Sequence, residues 1–410
     1  MLERLLTLLK RIFQVKSVEQ LKLEAGSEQS EALKRALKLK DLVAFGVGAV
    51  IGSGIFVTTG LAAAGSRDYV AAGPAVMISF LVVSVACLLC VLCYAEFASV
   101  IPTAGSAYTY AYASLGEYVA WILGHEYCGV VYNPGSREDL KVGDRVTALP
   151  ISPCGHCSAC LTGNPQYCPE TWTRATGLSL TNPGALAPKM AIRPDMVLKV
   201  PDSVSDDEVA MVEPSAVGLH AVHLADIKIG EKVLVIGGGI IGLVSAMFAK
   251  MEGASYVALS ETNDARGKKS VRLGVADEWF DAKDTKMLEK TTQITNGGFD
   301  VVIECCGNSP AVSSALMAVR PGGRVILVGV SLGTVTIPTI VSVMRELTIK
   351  GSIAYTKEEF QTCIDLMASK KIETLKFVDD VVSLEEVQKA YERLTSGKDD
   401  AVKILVDPNK

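Results

Sequence analysis

The sequence predicts an α/β protein: a doubly wound parallel sheet joined to a smaller β-rich domain, with two to three membrane helices ahead of both. Three observations carry this prediction. An apolar stretch, Lys232–Ile236, runs straight into Gly237-x-Gly239-x-x-Gly242 and an apolar helix. Four cysteines, Cys154, Cys157, Cys160 and Cys168, sit close together in a polar stretch. Two long runs near the N-terminus, residues 42–64 and 69–95, carry no charge.

The 410 residues suit two or three domains. The net charge of −5 gives no reason to expect a nucleic-acid partner. The average hides an asymmetry. Residues 1–40 carry nine Lys/Arg against five Asp/Glu, and residues 41–124 hold only Asp41, Arg67, Asp68, Glu96 and Glu117. The 11 cysteines are an odd number with one tight cluster, which points to metal binding in a reducing compartment and away from a disulfide framework. Met1–Val15 is apolar but interrupted by charges, with no small-residue cleavage site after it, so no secretory signal is read.

Residues 1–40 read as a basic arm. Leu5, Leu6, Leu8, Leu9, Ile12 and Phe13 are spaced for an amphipathic helix on a membrane surface, or for a solvated arm. Residues 41–124 read as a membrane segment, with spans at about 42–64 and 70–95 and a partial one at 105–123. The basic arm places the N-terminus in the cytoplasm, with the C-terminal half (125–410) also expected in the cytoplasm behind a two-span anchor and lipid as a partner. Cys87, Cys90 and Cys93 follow helix-face spacing and read as core. The glycines of Gly46–Phe56 either break the first span beside a polar cavity or allow close helix packing.

Gly46–Phe56, Gly73-Pro74-Ala75, Cys93–Ala98 and Pro102–Tyr108 together resemble the start of an amino acid permease of the amino acid–polyamine–organocation superfamily, over about residues 36–124. The resemblance implies that Gly52, Ser53 and Gly54 bind the backbone groups of an amino acid. That family has about a dozen spans in two inverted halves, and a site between repeats cannot form when one repeat is absent. Transport by this chain is therefore rejected.

Residues 125–225 read as the smaller β-rich domain. Lys141–Val146 is a turn leading into a strand. The spacing Cys154-x2-Cys157-x2-Cys160-x7-Cys168 aims four thiolates at one ion and leaves no open position, so a structural zinc is expected. His220 and His223 lie three apart near a helix and read as packing, or as neighbours of the cofactor.

Residues 226–352 read as the dinucleotide domain. Gly237 allows the tight turn, Gly239 lets the backbone approach a pyrophosphate, and Gly242 lets helix 243–250 pack closely on the strand. The next strand, 256–260, ends at Glu261, placed to accept the adenosine ribose hydroxyls and to repel a 2′-phosphate, which favours NAD over NADP. Strands follow at 300–304 and 323–329. Cys305 and Cys306 read as packed. Residues 353–410 return to the β-rich domain through helices at 358–369 and 384–394 and a strand at 401–407.

Gly124-His125-Glu126, Val142–Val146, the four-Cys lobe and Val212-Glu213-Pro214 together resemble the zinc-dependent medium-chain dehydrogenases of the polyol, butanediol and threonine branch, over residues 124–410. The resemblance implies a Rossmann sheet plus a truncated GroES-like catalytic domain. It implies a catalytic zinc held by His125, Glu126 and, directly or through water, Glu213, with hydride passing from a secondary alcohol to NAD. It also places Gly329–Ser331 backbone at the nicotinamide carboxamide. The family's first zinc ligand lies in a Cys-Gly-Ser/Thr-Asp motif on strands ahead of Gly124, and neither is found. Activity is expected to be impaired, unless Cys128 substitutes; a lone Cys in an apolar strand is usually packed.

Four readings follow. The chain is a zinc- and NAD-dependent alcohol or polyol dehydrogenase, a transporter fragment, a membrane-anchored non-catalytic zinc and NAD binder, or a chimeric reading frame. Missing strands and missing spans favour the last. A homo-oligomer is left open.

Overall fold

The computed structural model describes residues 124–410, apart from 180, 181, 332 and 333. Its centre is a six-stranded parallel sheet built from β4 (Lys232–Ile236), β5 (Tyr256–Glu261), β6 (Glu278–Asp281), β7 (Phe299–Glu304), β8 (Val319–Leu327) and β9 (Thr348–Gly351). The spatial order is β6-β5-β4-β7-β8-β9, with the first strand central and the order reversing beside it. That is the doubly wound arrangement, and it leaves a crevice at the carboxyl ends of β4 and β7.

Strand alternation explains why both faces are covered. Val233 and Val235 of β4 enter one core with Val301 and Ile303 of β7. Leu234 and Ile236 face the other way, into a second core with Val302 and Val325. The first core is closed by three helices: α3 (Val212–Ala225), α4 (Ile240–Met251) and α9 (Lys357–Ala368). The second is closed by α6 (Met287–Thr295) and α7 (Ser309–Ala318).

A small antiparallel sheet, β1 (Gly129–Val130), β2 (Arg145–Ala148) and β3 (Val197–Lys199), carries its own core of Tyr127, Leu140, Val146, Ala148 and Val197. The chain returns to finish as a parallel pair, β10 (Asp380–Val382) with β11 (Ile404–Val406), connected through α10 (Val387–Ser396). This return is anchored to α5 (Asp264–Arg272). Arg266 donates to the carbonyls of Leu394 (2.7 Å) and Ala401 (3.0 Å), and buried Lys269 pairs with Asp379. Asp379 in turn accepts from the Val402 and Lys403 amides.

The end of α3 is tied to the start of α9 by one carboxylate. His220 Nδ1 and His223 Nδ1 each reach a Glu359 oxygen at 2.8 Å, and His223 Nε2 lies 3.9 Å from Glu252. The Glu359 hydrogen bond, then burial against it and the charges of Glu359 and Glu252, raise the His223 pKa above its ordinary 6.5. A group raised on folding stabilises fully below its unfolded value and loses that contribution as pH rises through the folded one. Stability should therefore fall as pH climbs from about 6.5. His223 is half exposed, so the loss is under about 1 kcal/mol. Glu359→Gln should flatten that alkaline slope in urea denaturation; an unchanged slope removes this assignment.

The expected membrane localisation is corrected. Among the described residues no helix is long and apolar enough to cross a membrane. The longest of them, α3, has 14 residues and spans about 21 Å, short of a bilayer core of about 30 Å. The arm 1–40, the runs at 42–64, 70–95 and 105–123, and Gly52, Ser53 and Gly54 lie outside the described residues.

Candidate functional site

His125 and Glu126 stand just before β1, and Glu213 is the second residue of α3. The backbone at 124–125 is fixed by close approach. Gly124, at φ +96°, accepts from the Ala185 amide at 2.8 Å, and a Cβ on Gly177 would stand 2.6 Å from the Gly124 oxygen. No larger residue fits at either place. The result brings His125, Glu126 and Glu213 together, with one ligand atom of each within 4.8 Å of the others.

The electrostatics suit a cation. Burial pushes the Glu213 carboxyl up to about 7, against the Tyr355 hydroxyl, which donates to Oε1 at 2.9 Å and lowers it. Burial, helped by the charge of Lys403, holds the His125 imidazole down at about 4, so it is a neutral donor at neutral pH. Lys403 forms an ion pair with Glu126, and burial brings its ammonium down to about 8. A buried carboxylate without a compensating charge and a neutral imidazole beside it match what a divalent ion needs. Three nitrogen and oxygen donors leave one position open, which is the pattern of a catalytic zinc.

Cys128 does not join this group. Its Sγ lies 3.4 Å from Asp206 Oδ1, and burial followed by the Asp206 charge pushes the thiol up to about 12. It packs against the main core, as a lone cysteine does.

Cys154, Cys157, Cys160 and Cys168 converge as a second group, all four sulfurs within 4.8 Å. Cys154 and Cys160 are 3.9 Å apart and Cys157 and Cys160 3.5 Å, and none is in a disulfide. Tetrahedral thiolates about 2.3 Å from a zinc stand about 3.8 Å from one another. The amides of Cys154, Gly155 and Cys157 point at the sulfurs from 3.3–3.4 Å, which favours the thiolate form. The four residues fit a closed structural site.

The glycine loop follows β4 as the sequence implies. Gly239 caps the start of α4, with open space where a side chain would be. Gly242 is the tight point, since a Cβ there would lie 1.9 Å from the Gly237 oxygen. A concavity beside it is lined by Gly239, Ile240, Arg266, Leu394 and Val402. A neighbouring one holds Glu261, Asn263, Arg266 and Lys283. Together they offer the anion-binding helix terminus and the polar ribose end that a dinucleotide needs.

Glu261 ends β5 as expected, but its oxygens are already engaged. Oε2 accepts from the Gly238 amide at 2.5 Å, and Oε1 from the Thr262 and Asn263 amides at 2.7 and 2.8 Å. Its side chain lines the concavity it shares with Asn263, Arg266 and Lys283. Glu261→Ser should narrow a preference for NAD over NADP by about tenfold. Competitive binding of the two cofactors measures it, and an unchanged ratio removes the role.

Gly329 lies past the end of β8, its amide donating to the Glu304 carbonyl at 2.9 Å. Cys305 and Cys306 lie in the turn after β7; Cys305 is half-buried, but Cys306 is exposed and not packed as the sequence suggests. His220 and His223 serve Glu359 and not the metal-type cluster. Two residues of the site escape the sequence reading. Lys403 could have been suspected as a charge inside the apolar run Ala401–Val406, whereas nothing local marks Tyr355.

Comparison with known proteins finds zinc-binding dehydrogenases. The zinc-binding dehydrogenase family matches residues 241–369, and the alcohol dehydrogenase GroES-like domain family matches residues 83–202. Sorbitol dehydrogenase of Bacillus subtilis is 34% identical over 309 residues, covering 73% of this chain and 86% of its own length. Among solved structures, 2R,3R-butanediol dehydrogenase from Bacillus subtilis has a TM-score of 0.63 at 29% identity, covering 70% of this chain and 80% of its own. A candidate zinc-binding dehydrogenase from Sinorhizobium meliloti, solved with NADP, has a TM-score of 0.64 at 30% identity, covering 70% and 83%. Zinc and a nicotinamide dinucleotide are thus the cofactors that fit. The GroES-like match begins inside the run read as the second span and takes in the partial third. With no spanning helix among the described residues, this overturns the membrane localisation.

Proposed function

The chain belongs to the zinc-dependent medium-chain alcohol and polyol dehydrogenase family, and from that premise we propose that it oxidises a secondary alcohol or polyol with NAD at a site formed by His125, Glu126 and Glu213. The convergence of these three side chains is the observation that carries the proposal. When bound, zinc supplies a Lewis acid for the alcohol oxygen and the nicotinamide accepts the hydride.

The chain's own residues do the rest. His125, Glu126 and Glu213 would hold the ion. Lys403 balances the second oxygen of Glu126 and keeps that carboxylate in place. Gly239 and the start of α4 take the pyrophosphate, and Glu261 takes the ribose. Cys154, Cys157, Cys160 and Cys168 hold the structural zinc that fixes their lobe.

A second reading is a non-catalytic zinc and NAD binder. Lys403 favours it, because it competes for Glu126, and no cysteine joins the cluster among the described residues. Elemental analysis and NADH formation together separate the two. Two zincs per chain with NADH formed support the enzyme; one zinc, confined to the four-Cys lobe, supports the binder.

A further inference from the structure

We propose that Tyr355 is the positioning residue of the metal site, holding the Glu213 carboxylate in the orientation that meets the ion. This rests on the reading in which Glu213 serves a metal. Tyr355 is completely buried in the turn between β9 and α9. Its hydroxyl donates to Glu213 Oε1 at 2.9 Å, and its ring packs on Phe360 with centroids 5.3 Å apart.

A carboxylate turns easily about its last torsion. Glu213 is buried, so the protein groups around it set its orientation. The Tyr355 hydroxyl holds one Glu213 oxygen, while a carboxylate oxygen of Glu213 lies within 4.8 Å of the ligand atoms of His125 and Glu126. Four residues on, Glu359 grips His220 and His223 of the same helix. One short stretch, 355–359, therefore holds α3 at both its first and its last turns. The stretch leading into α9 is in this way linked by hydrogen bonds to the helix that carries Glu213.

Groups that orient a metal ligand typically contribute about ten- to a hundredfold to metal affinity. Tyr355→Phe keeps the ring and removes only the hydroxyl. The full chain is loaded with zinc, and release to a chelator is followed for the wild type, Tyr355→Phe and Phe360→Leu. The expected result is two zincs in the wild type. In Tyr355→Phe, the faster-released zinc leaves about ten to a hundred times sooner, while the four-Cys zinc is unchanged. Phe360→Leu, which loosens packing and spares the hydrogen bond, should not reproduce this.

Equal release from wild type and Tyr355→Phe overturns the proposal and leaves the metal site standing. Fast release from Phe360→Leu as well, or a Tyr355→Phe chain that does not fold, assigns Tyr355 to packing and overturns it too. A wild type holding only one zinc refutes the metal reading itself, and the proposal with it.

Discussion

His125→Ala is expected to lower kcat/KM for alcohol oxidation by about a thousandfold, because metal assistance is worth several kcal/mol and each 1.36 kcal/mol is tenfold. His125 is the only nitrogen donor in the group, and Glu126 and Glu213 alone make a poor zinc site. The loss should be specific. The Cys154, Cys157, Cys160 and Cys168 lobe shares no residue with the His125 group, so one zinc per chain should remain. NAD affinity should stay within about twofold, since the glycine loop is untouched. Steady-state kinetics beside elemental analysis and cofactor titration checks all three. A variant that keeps full activity would show that the chemistry is elsewhere.

Gly242→Ala and Gly239→Ala are expected to fail in different ways. At Gly242 the added methyl meets the Gly237 carbonyl at 1.9 Å, so either the turn or α4 must move. Overpacking of this kind costs about 1–3 kcal/mol. It should lower the melting temperature and weaken NAD binding by about ten- to a hundredfold. At Gly239 a methyl meets nothing within 4 Å, and the backbone is ordinary. That variant should melt as the wild type does yet still bind NAD more weakly, because the methyl stands where the pyrophosphate approaches. Thermal melts and quenching of protein fluorescence by NADH separate the cases. If Gly239→Ala binds NADH normally, the cofactor does not lie on this loop.

What the sequence made legible was local and periodic. Lys232–Ile236, the three glycines and helix 240–251 are contiguous in the chain, and a short-range pattern suffices to read them. The four-Cys spacing was readable for the same reason, since most of the geometry is built within 15 residues. The metal-type group was half legible. Gly124-His125-Glu126 is a local motif, but Glu213, Tyr355 and Lys403 reach it through long-range packing, and Tyr355 and Glu213 are 142 residues apart.

The membrane reading went astray because it counted apolar residues. A charge-free run of 27 residues meets the length criterion for a span, and length says nothing of what covers it. The GroES-like family model, which depends on the order of residues, matches from residue 83, inside that run. Glu261 shows a subtler limit. Its position at the end of β5 was readable, but its bonds to Gly238, Thr262 and Asn263 depend on how the loop folds back.

NADH formation by the full chain, followed at 340 nm with secondary polyols such as sorbitol and 2,3-butanediol, tests the central claim most directly. The expected result is NADH accumulating with at least one polyol, stopping when a chelator removes the more labile zinc, and resuming when zinc is restored. No NADH from a preparation that carries two zincs and binds NAD would contradict the enzyme, and leave a zinc and dinucleotide binder in its place.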